Sequence, residues 1–127
     1  MPAVKTLAGV VLLTLLGGEA AWADANNGRN LFLRRCHNCH SVGPGAQSGF
    51  GPQLNDLFGR QAGSLAGYNY SEAMRHAGFA WDREALAAFL RDPEAKVPGT
   101  KMRFWGIGDA DDLGDIADYL QTQHAAP

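Results

Sequence analysis

The pentapeptide Cys36-His37-Asn38-Cys39-His40 decides the fold of this 127-residue chain. Cys-x-x-Cys-His is the attachment signature of haem c, in which two thiols add to the porphyrin vinyl groups and the next His binds the iron. On a helical turn, this spacing puts both sulfur atoms at one edge of the macrocycle and the imidazole beneath the metal. We therefore predict one covalent haem c on Cys36 and Cys39, with His40 as an iron ligand.

Two other kinds of site use a Cys-x-x-Cys pair. A zinc site needs a second pair of ligands, but the chain has only two cysteines, and His76 and His124 stand far apart in sequence. A thioredoxin-like dithiol needs a βαβ context, which the sequence does not predict. Haem attachment is the favoured interpretation.

The N-terminus has the three parts of a secretory signal peptide. Residues 1–5 form a short, positively charged segment, Leu7–Leu16 is apolar, and Ala21-Trp22-Ala23 is a small-x-small cleavage site. We expect cleavage after Ala23, with Ala25 as the second choice. An uncleaved membrane anchor is the alternative, although the apolar run is short against the roughly 20 residues of a membrane span. Since haem c is attached outside the cytoplasm, we expect a periplasmic bacterial protein without stable membrane insertion after cleavage.

Residues 24–127 are then one small domain, with no room for a second. The formal net charge of the whole chain is −2, and removing residues 1–23 leaves it unchanged. This balance argues against nucleic acid as a partner. We expect a monomer.

Hydrophobic spacing and capping residues predict an all-α fold of about four short helices with no strand. Residues 41–63 form a long loop, for which packing against a large flat cofactor is an explanation. The predicted helices run from about Asn27 to the haem motif, from an N-cap at Ser71 to near Gly78, from an N-cap at Asp82 to Asp92-Pro93, and onward from Asp109.

An iron with one axial His has either an open sixth position or a second ligand. The chain offers Met74, Met102 and three other histidines. Met102 ends the irregular segment Pro98-Gly99-Thr100-Lys101-Met102, which could bend a thioether over the haem. A Met in such a segment is more often a core residue, so the residues alone leave the sixth ligand open.

Short matching segments then extend over nearly the whole mature chain. They are Gly28 and Phe32, Gly51-Pro52-Gln53-Leu54, Leu57-Phe58-Gly59-Arg60, Gly67-Tyr68-Asn69-Tyr70, Trp81, Pro98 to Met102, Phe104, Gly106-Ile107 and Tyr119-Leu120. In these segments and their spacing the chain closely resembles the class I c-type cytochromes, in particular mitochondrial cytochrome c and its bacterial short-chain relatives. The resemblance implies the small cytochrome c fold, with the helices wrapped around one covalent haem.

The resemblance also implies roles for individual residues. His40 and Met102 would be the two axial ligands, a pair that raises the reduction potential, and the Pro52 carbonyl would accept the ring N–H of His40. Gly28 and Tyr119 would lie where the first and last helices cross. The residues implied around the haem propionates are Arg60, Tyr70, Trp81 and, nearby, Thr100.

Three departures from the family pattern stand out. Phe89 replaces a Tyr whose hydroxyl reaches the Met sulfur in the mitochondrial proteins, and Met74 replaces an Asn that helps to organise buried water. The lysine ring around the exposed haem edge is thinned, which leaves the usual docking partners open. Arg35 and Lys101 keep positive charge there, whereas Glu94, Ala95, Gly108 and Asp109 replace typical lysines.

The favoured function is a soluble periplasmic single-haem electron carrier, not an enzyme. Its partners would be redox proteins such as a cytochrome bc complex, an oxidase, a reductase or a periplasmic dehydrogenase. Because the basic ring is interrupted, we expect a largely apolar or mildly charged partner face and a shallow salt dependence. One alternative is a dedicated haem subunit of a periplasmic dehydrogenase or reductase. A ligand-binding or peroxidase-like protein would need an open sixth site, against which Met102 argues.

Overall fold

Helices and long irregular segments make up the described part of the chain. The structure, a computed structural model, describes residues 2–4, 9 and 19–126. These residues contain no strand, only an isolated bridge between Gln61 and Ala80, so the predicted all-α class is confirmed. The helices are α1 (Glu19–Arg35), α2 (Glu72–Arg75), α3 (Arg83–Arg91), α4 (Pro93–Lys96) and α5 (Ala110–Gln121).

Both predicted N-caps, Ser71 and Asp82, are present, and Asp109 is a third N-cap, at the start of α5. Each side chain accepts a hydrogen bond from the backbone N–H three residues on, at 3.1 Å for Ser71, 2.7 Å for Asp82 and 3.0 Å for Asp109. Such bonds satisfy N–H groups that have no partner within the helix. α2 ends at Arg75, somewhat before the predicted end near Gly78.

Two further helix boundaries differ from the prediction. α1 begins at Glu19 rather than near Asn27, because the Ala-rich residues between them are strong helix formers. Asp92 ends α3 as expected, but the chain re-enters a helix at once, so there are five helices in the described residues rather than about four. Pro93 at the first position of α4 already has helical φ, and Asp92 caps it.

The crossing of α1 and α5 organises the core. Phe32 is buried on α1 and its ring lies 5.6 Å from that of Tyr119. A Cβ at Gly28 would overlap the backbone of Asp115 and lie 2.8 Å from Cβ of Tyr119. The close approach implied by the resemblance is therefore present, and it brings the C-terminal end of α1, where the haem motif begins, onto the core.

The predicted apolar part of the signal peptide, Leu7–Leu16, lies outside the described residues apart from Gly9. None of the helices that the structure describes is long and apolar enough to cross a membrane.

Candidate haem-binding site

The two cysteines lie on the turn that follows α1. The backbone N–H of Cys36 donates to Phe32 O at 2.8 Å, and that of His40 donates to Cys36 O at 2.9 Å. Helical hydrogen bonding therefore continues beyond Arg35 as far as His40. Both thiols are free, Cys36 half-buried and Cys39 exposed. Burial raises the pKa of Cys36 to about 11. A thiol with a pKa this high stays protonated at neutral pH.

His40 is held by a single backbone acceptor. Its Nδ1 lies 2.7 Å from the carbonyl oxygen of Pro52. Because a carbonyl can only accept, Nδ1 carries the proton and Nε2 keeps its lone pair. Burial lowers the pKa of His40, which outweighs the opposing effect of the Pro52 hydrogen bond, and nearby Arg60 lowers it further. The imidazole is therefore neutral and oriented, the form in which His binds a metal.

Gly51 contributes a contact that the sequence analysis did not assign. A Cβ at this position would lie 2.6 Å from Cε1 and 2.8 Å from Nδ1 of His40. The loop can therefore lie flat against the imidazole only with glycine here. The signal that could have found it is its place immediately before Pro52, the acceptor of the His40 bond.

Arg60 braces the loop that carries Pro52. Its guanidinium donates to the carbonyl oxygens of Gln53 at 3.1 Å and Asn55 at 3.3 Å. Burial lowers the pKa of Arg60 and raises that of the neighbouring Tyr70. A half-buried cation beside a buried phenol fits a site for negatively charged groups.

Trp81 joins this group through the backbone. Its N–H donates to Arg60 O at 2.9 Å. The indole is buried and packs edge-to-face on Phe89 of α3 at 5.3 Å. Arg60 therefore lies beside both Trp81 and Tyr70, two of the other residues that the resemblance implies around the propionates.

Asn55 was not singled out from the sequence, yet it ties together the long loop. It is one of the two buried polar residues among those described. Its side chain accepts from Gly43 N–H at 2.7 Å and donates to Gly43 O at 2.8 Å. No periodic or motif signal marks such a residue, because its partner lies 12 positions away.

Met102 and Met74 occupy different environments. Met102 is half-buried in the irregular segment after α4, where its N–H approaches Thr100 Oγ1 at 3.4 Å and Thr100 itself is buried. Met74 lies in the core on α2, with 8% of its surface exposed. A thioether already packed among apolar side chains is the weaker candidate for an iron ligand.

Comparison with known proteins defines the family. The family model for cytochrome c matches residues 25–124. The chain belongs to the cytochrome c family. This membership makes it a class I c-type cytochrome, an electron-transfer protein rather than an enzyme, with haem c as its covalent cofactor.

Similar cytochromes come from bacteria and from eukaryotes. Cytochrome c2 of Blastochloris viridis is 40% identical over 121 residues, covering 95% of this chain and 94% of the relative. Cytochrome c of Cochliobolus lunatus is 40% identical over 100 residues, covering 79% of this chain and 93% of the relative. The solved structure of cytochrome cH from Methylobacterium extorquens is 41% identical with a TM-score of 0.72, covering 78% of this chain and 98% of its own. These matches agree with the class and the fold.

Proposed function

We propose that this cytochrome is a soluble periplasmic carrier that shuttles single electrons between redox enzymes. The observation that carries the proposal is the orientation of His40. Its Nδ1–H donates a hydrogen bond to Pro52 O at 2.7 Å, which leaves Nε2 free to bind iron. The partners we expect are a cytochrome bc complex, an oxidase, a reductase or a periplasmic dehydrogenase.

The residues of the site fit haem c. Two free thiols, a neutral imidazole with a bare Nε2, and a loop that needs glycine at position 51 match a flat, covalently held iron porphyrin. When bound, haem c supplies a one-electron Fe(III)/Fe(II) couple. Cys36 and Cys39 would form the thioethers, and His40 and Met102 would hold the iron.

The polypeptide has two further tasks around such a group. Pro52 fixes the tautomer and the ring orientation of His40 and raises its basicity as a ligand. Arg60, Tyr70, Trp81 and Thr100 would offset the charge of the propionates, and the half-buried guanidinium is their only formal cation. A carrier with both axial positions filled changes little in structure when its charge changes, so electron transfer needs little reorganisation.

Export rests on the signal peptide, with cleavage after Ala23. The match of the cytochrome c family model, which begins at residue 25, supports a mature domain that starts near this point.

Replacement of the sixth ligand tests the proposal. The oxidised wild type should show the weak far-red band of sulfur-to-iron charge transfer. Met102→Ala should abolish this band, lower the reduction potential because the thioether favours Fe(II), and allow added cyanide or imidazole to bind. Visible spectroscopy and a redox titration measure all three.

Met74→Ala is the matched control. It removes a buried thioether on α2 and should lower the free energy of unfolding by about 2–5 kcal/mol without removing the band. Loss of the band in Met74→Ala, and not in Met102→Ala, would contradict the assignment. Binding of cyanide to the wild type as fast as to Met102→Ala would contradict a closed electron carrier.

A further inference from the structure

Trp105 is the most exposed large apolar side chain among the described residues, at 101% of its reference surface. A free indole of this size in water is unusual, since tryptophan is highly buried on average. Exposed aromatic side chains are enriched at protein–protein interfaces, where tryptophan is a frequent anchor.

The backbone on both sides of Trp105 is fixed. The Arg35 guanidinium lies over the Phe104 ring at 5.2 Å and donates to Gly106 O at 3.2 Å. Gly106 has φ +88, and a Cβ there would clash with the carbonyl oxygen of Arg91. With both neighbours held, Trp105 projects outward because of the packing of the loop.

The position of Trp105 relative to Met102 limits what a bound partner can reach. Trp105 is three positions after Met102, so their Cα atoms are at most about 11 Å apart. A protein that binds the indole is therefore held over the loop that carries the proposed iron ligand. An anchor at this point sets the affinity of the encounter.

The charged side chains near Trp105 are few and of both signs, and the negative ones, Glu94 and Asp109, each accept a hydrogen bond from a backbone N–H. Arg103 is exposed, Lys101 donates to Asn69 O at 2.5 Å, and Arg35 is engaged by Gly106. The carboxylate of Glu94 is turned to Gly99 N–H at 2.9 Å. This surface complements an apolar recess edged by a small number of carboxylates rather than a strongly acidic face.

We propose that Trp105 is the anchor by which this cytochrome docks a redox-partner protein, with the indole inserted in an apolar recess that a few carboxylates border. The inference rests on the proposed carrier function and adds the residue that selects the partner. Interfaces of electron-transfer proteins are small and transient, so one buried tryptophan contributes a large share of the affinity. Each productive encounter passes a single electron to the acceptor, which is reduced as the carrier is oxidised, and no covalent bond changes.

The test measures oxidation of the reduced holoprotein by respiratory membranes of the source organism. Trp105→Ala should raise KM about tenfold or more, as expected for loss of an anchor residue, and Trp105→Phe should recover part of the affinity. The reduction potential, kcat and the rate with ferricyanide, which needs no docking surface, should equal those of the wild type. An unchanged KM for Trp105→Ala would overturn the inference.

Phe50→Ala is the matched control, because Phe50 is a second exposed aromatic, at 86%. An equal or larger rise in KM for Phe50→Ala would overturn Trp105 as the anchor. A dimer of the wild type that disappears in Trp105→Ala, seen by light scattering after gel filtration, would also overturn the inference, because a second copy would then occupy the surface.

Ionic strength separates an apolar anchor from a charged docking site. Between 0.01 M and 0.15 M salt the Debye length falls from about 30 Å to about 8 Å, and KM should change only weakly. A steep rise of KM with salt, equal in wild type and Trp105→Ala, would overturn the inference. A wild type that neither reduces nor oxidises any component of the membranes would overturn the carrier function itself, and this inference with it.

Discussion

At the scale of single residues, Phe89 is the departure from the family pattern with the clearest electronic consequence. It is buried on α3 against Trp81, and its phenyl ring cannot donate a hydrogen bond to the proposed Met102 ligand. A hydroxyl at this point would withdraw electron density from the sulfur and disfavour Fe(III). Phe89→Tyr should therefore raise the reduction potential, by up to about 40 mV for a hydrogen bond of about 1 kcal/mol.

A redox titration of wild type and Phe89→Tyr measures this shift. The far-red band should persist in both proteins, which shows that the ligand is retained. An unchanged or lower potential with the band intact would contradict the argument.

At the scale of the elements, the crossing of α1 and α5 depends on Gly28. Gly28→Ala would force the two backbones apart, because the added Cβ overlaps Asp115 and contacts Tyr119. Overpacking of this kind costs about 1–3 kcal/mol, and a domain of this size then loses about 4–8 °C of Tm per kcal/mol. Circular dichroism of the holoprotein during heating measures the loss.

Gly114→Ala on α5 is the control for this substitution. A Cβ there has nothing within 4 Å, so the intrinsic preference of helices for alanine, about 1 kcal/mol, should leave Tm unchanged or raise it. Equal losses of Tm in the two variants would contradict this argument, because the loss in Gly28→Ala would then not come from the helix crossing.

The segment after α5 is attached to the long loop through Asp56. The carboxylate accepts from His124 Nδ1 at 2.6 Å and from Ala125 N–H at 3.1 Å. These two bonds hold the pKa of Asp56 below its usual range, and the bond from His124 has the larger effect. A depressed carboxyl pKa stabilises the fold above the unfolded-state pKa of about 3.9, and this contribution disappears as the pH falls through the lower folded-state value.

NMR titration of the Asp56 carboxyl tests the attachment. His124→Ala should raise the pKa toward its ordinary value, because the largest cause of the depression is gone, while the Ala125 bond retains part of the shift. The same pKa in both proteins would refute a role for His124.

At the scale of the whole molecule, export and haem attachment determine the mass of the mature protein. Denaturing mass spectrometry of protein isolated from the periplasm should give a chain that begins at Asp24, or at Asn26 for the second cleavage site, plus one haem. The haem should survive acid–organic extraction, because thioethers hold it to Cys36 and Cys39. An intact N-terminus would indicate the membrane-anchor alternative, and extractable haem would contradict covalent attachment.

Local signals predicted much of the fold because their causes are local. Ser71, Asp82 and Asp109 cap helices through bonds that span three residues, a distance that a sequence pattern contains. The predicted boundaries were wrong where two local signals overlap. The signal-peptide cleavage site lies within α1, and Pro93, which ends α3, also begins α4.

The sequence by itself determined the class of this protein, because Cys36, Cys39 and His40 form a motif whose chemistry depends on spacing alone. Tertiary structure decided the rest of the site. Gly51 fits against His40 and Asn55 ties the long loop only because distant segments approach each other. Trp105 is exposed for the same reason, since Arg35 and Arg91 hold the backbone around it. The chemistry of a side chain follows from the residue type, which the sequence states directly. Burial, orientation and exposure depend on contacts between distant segments, which the order of residues along the chain does not contain.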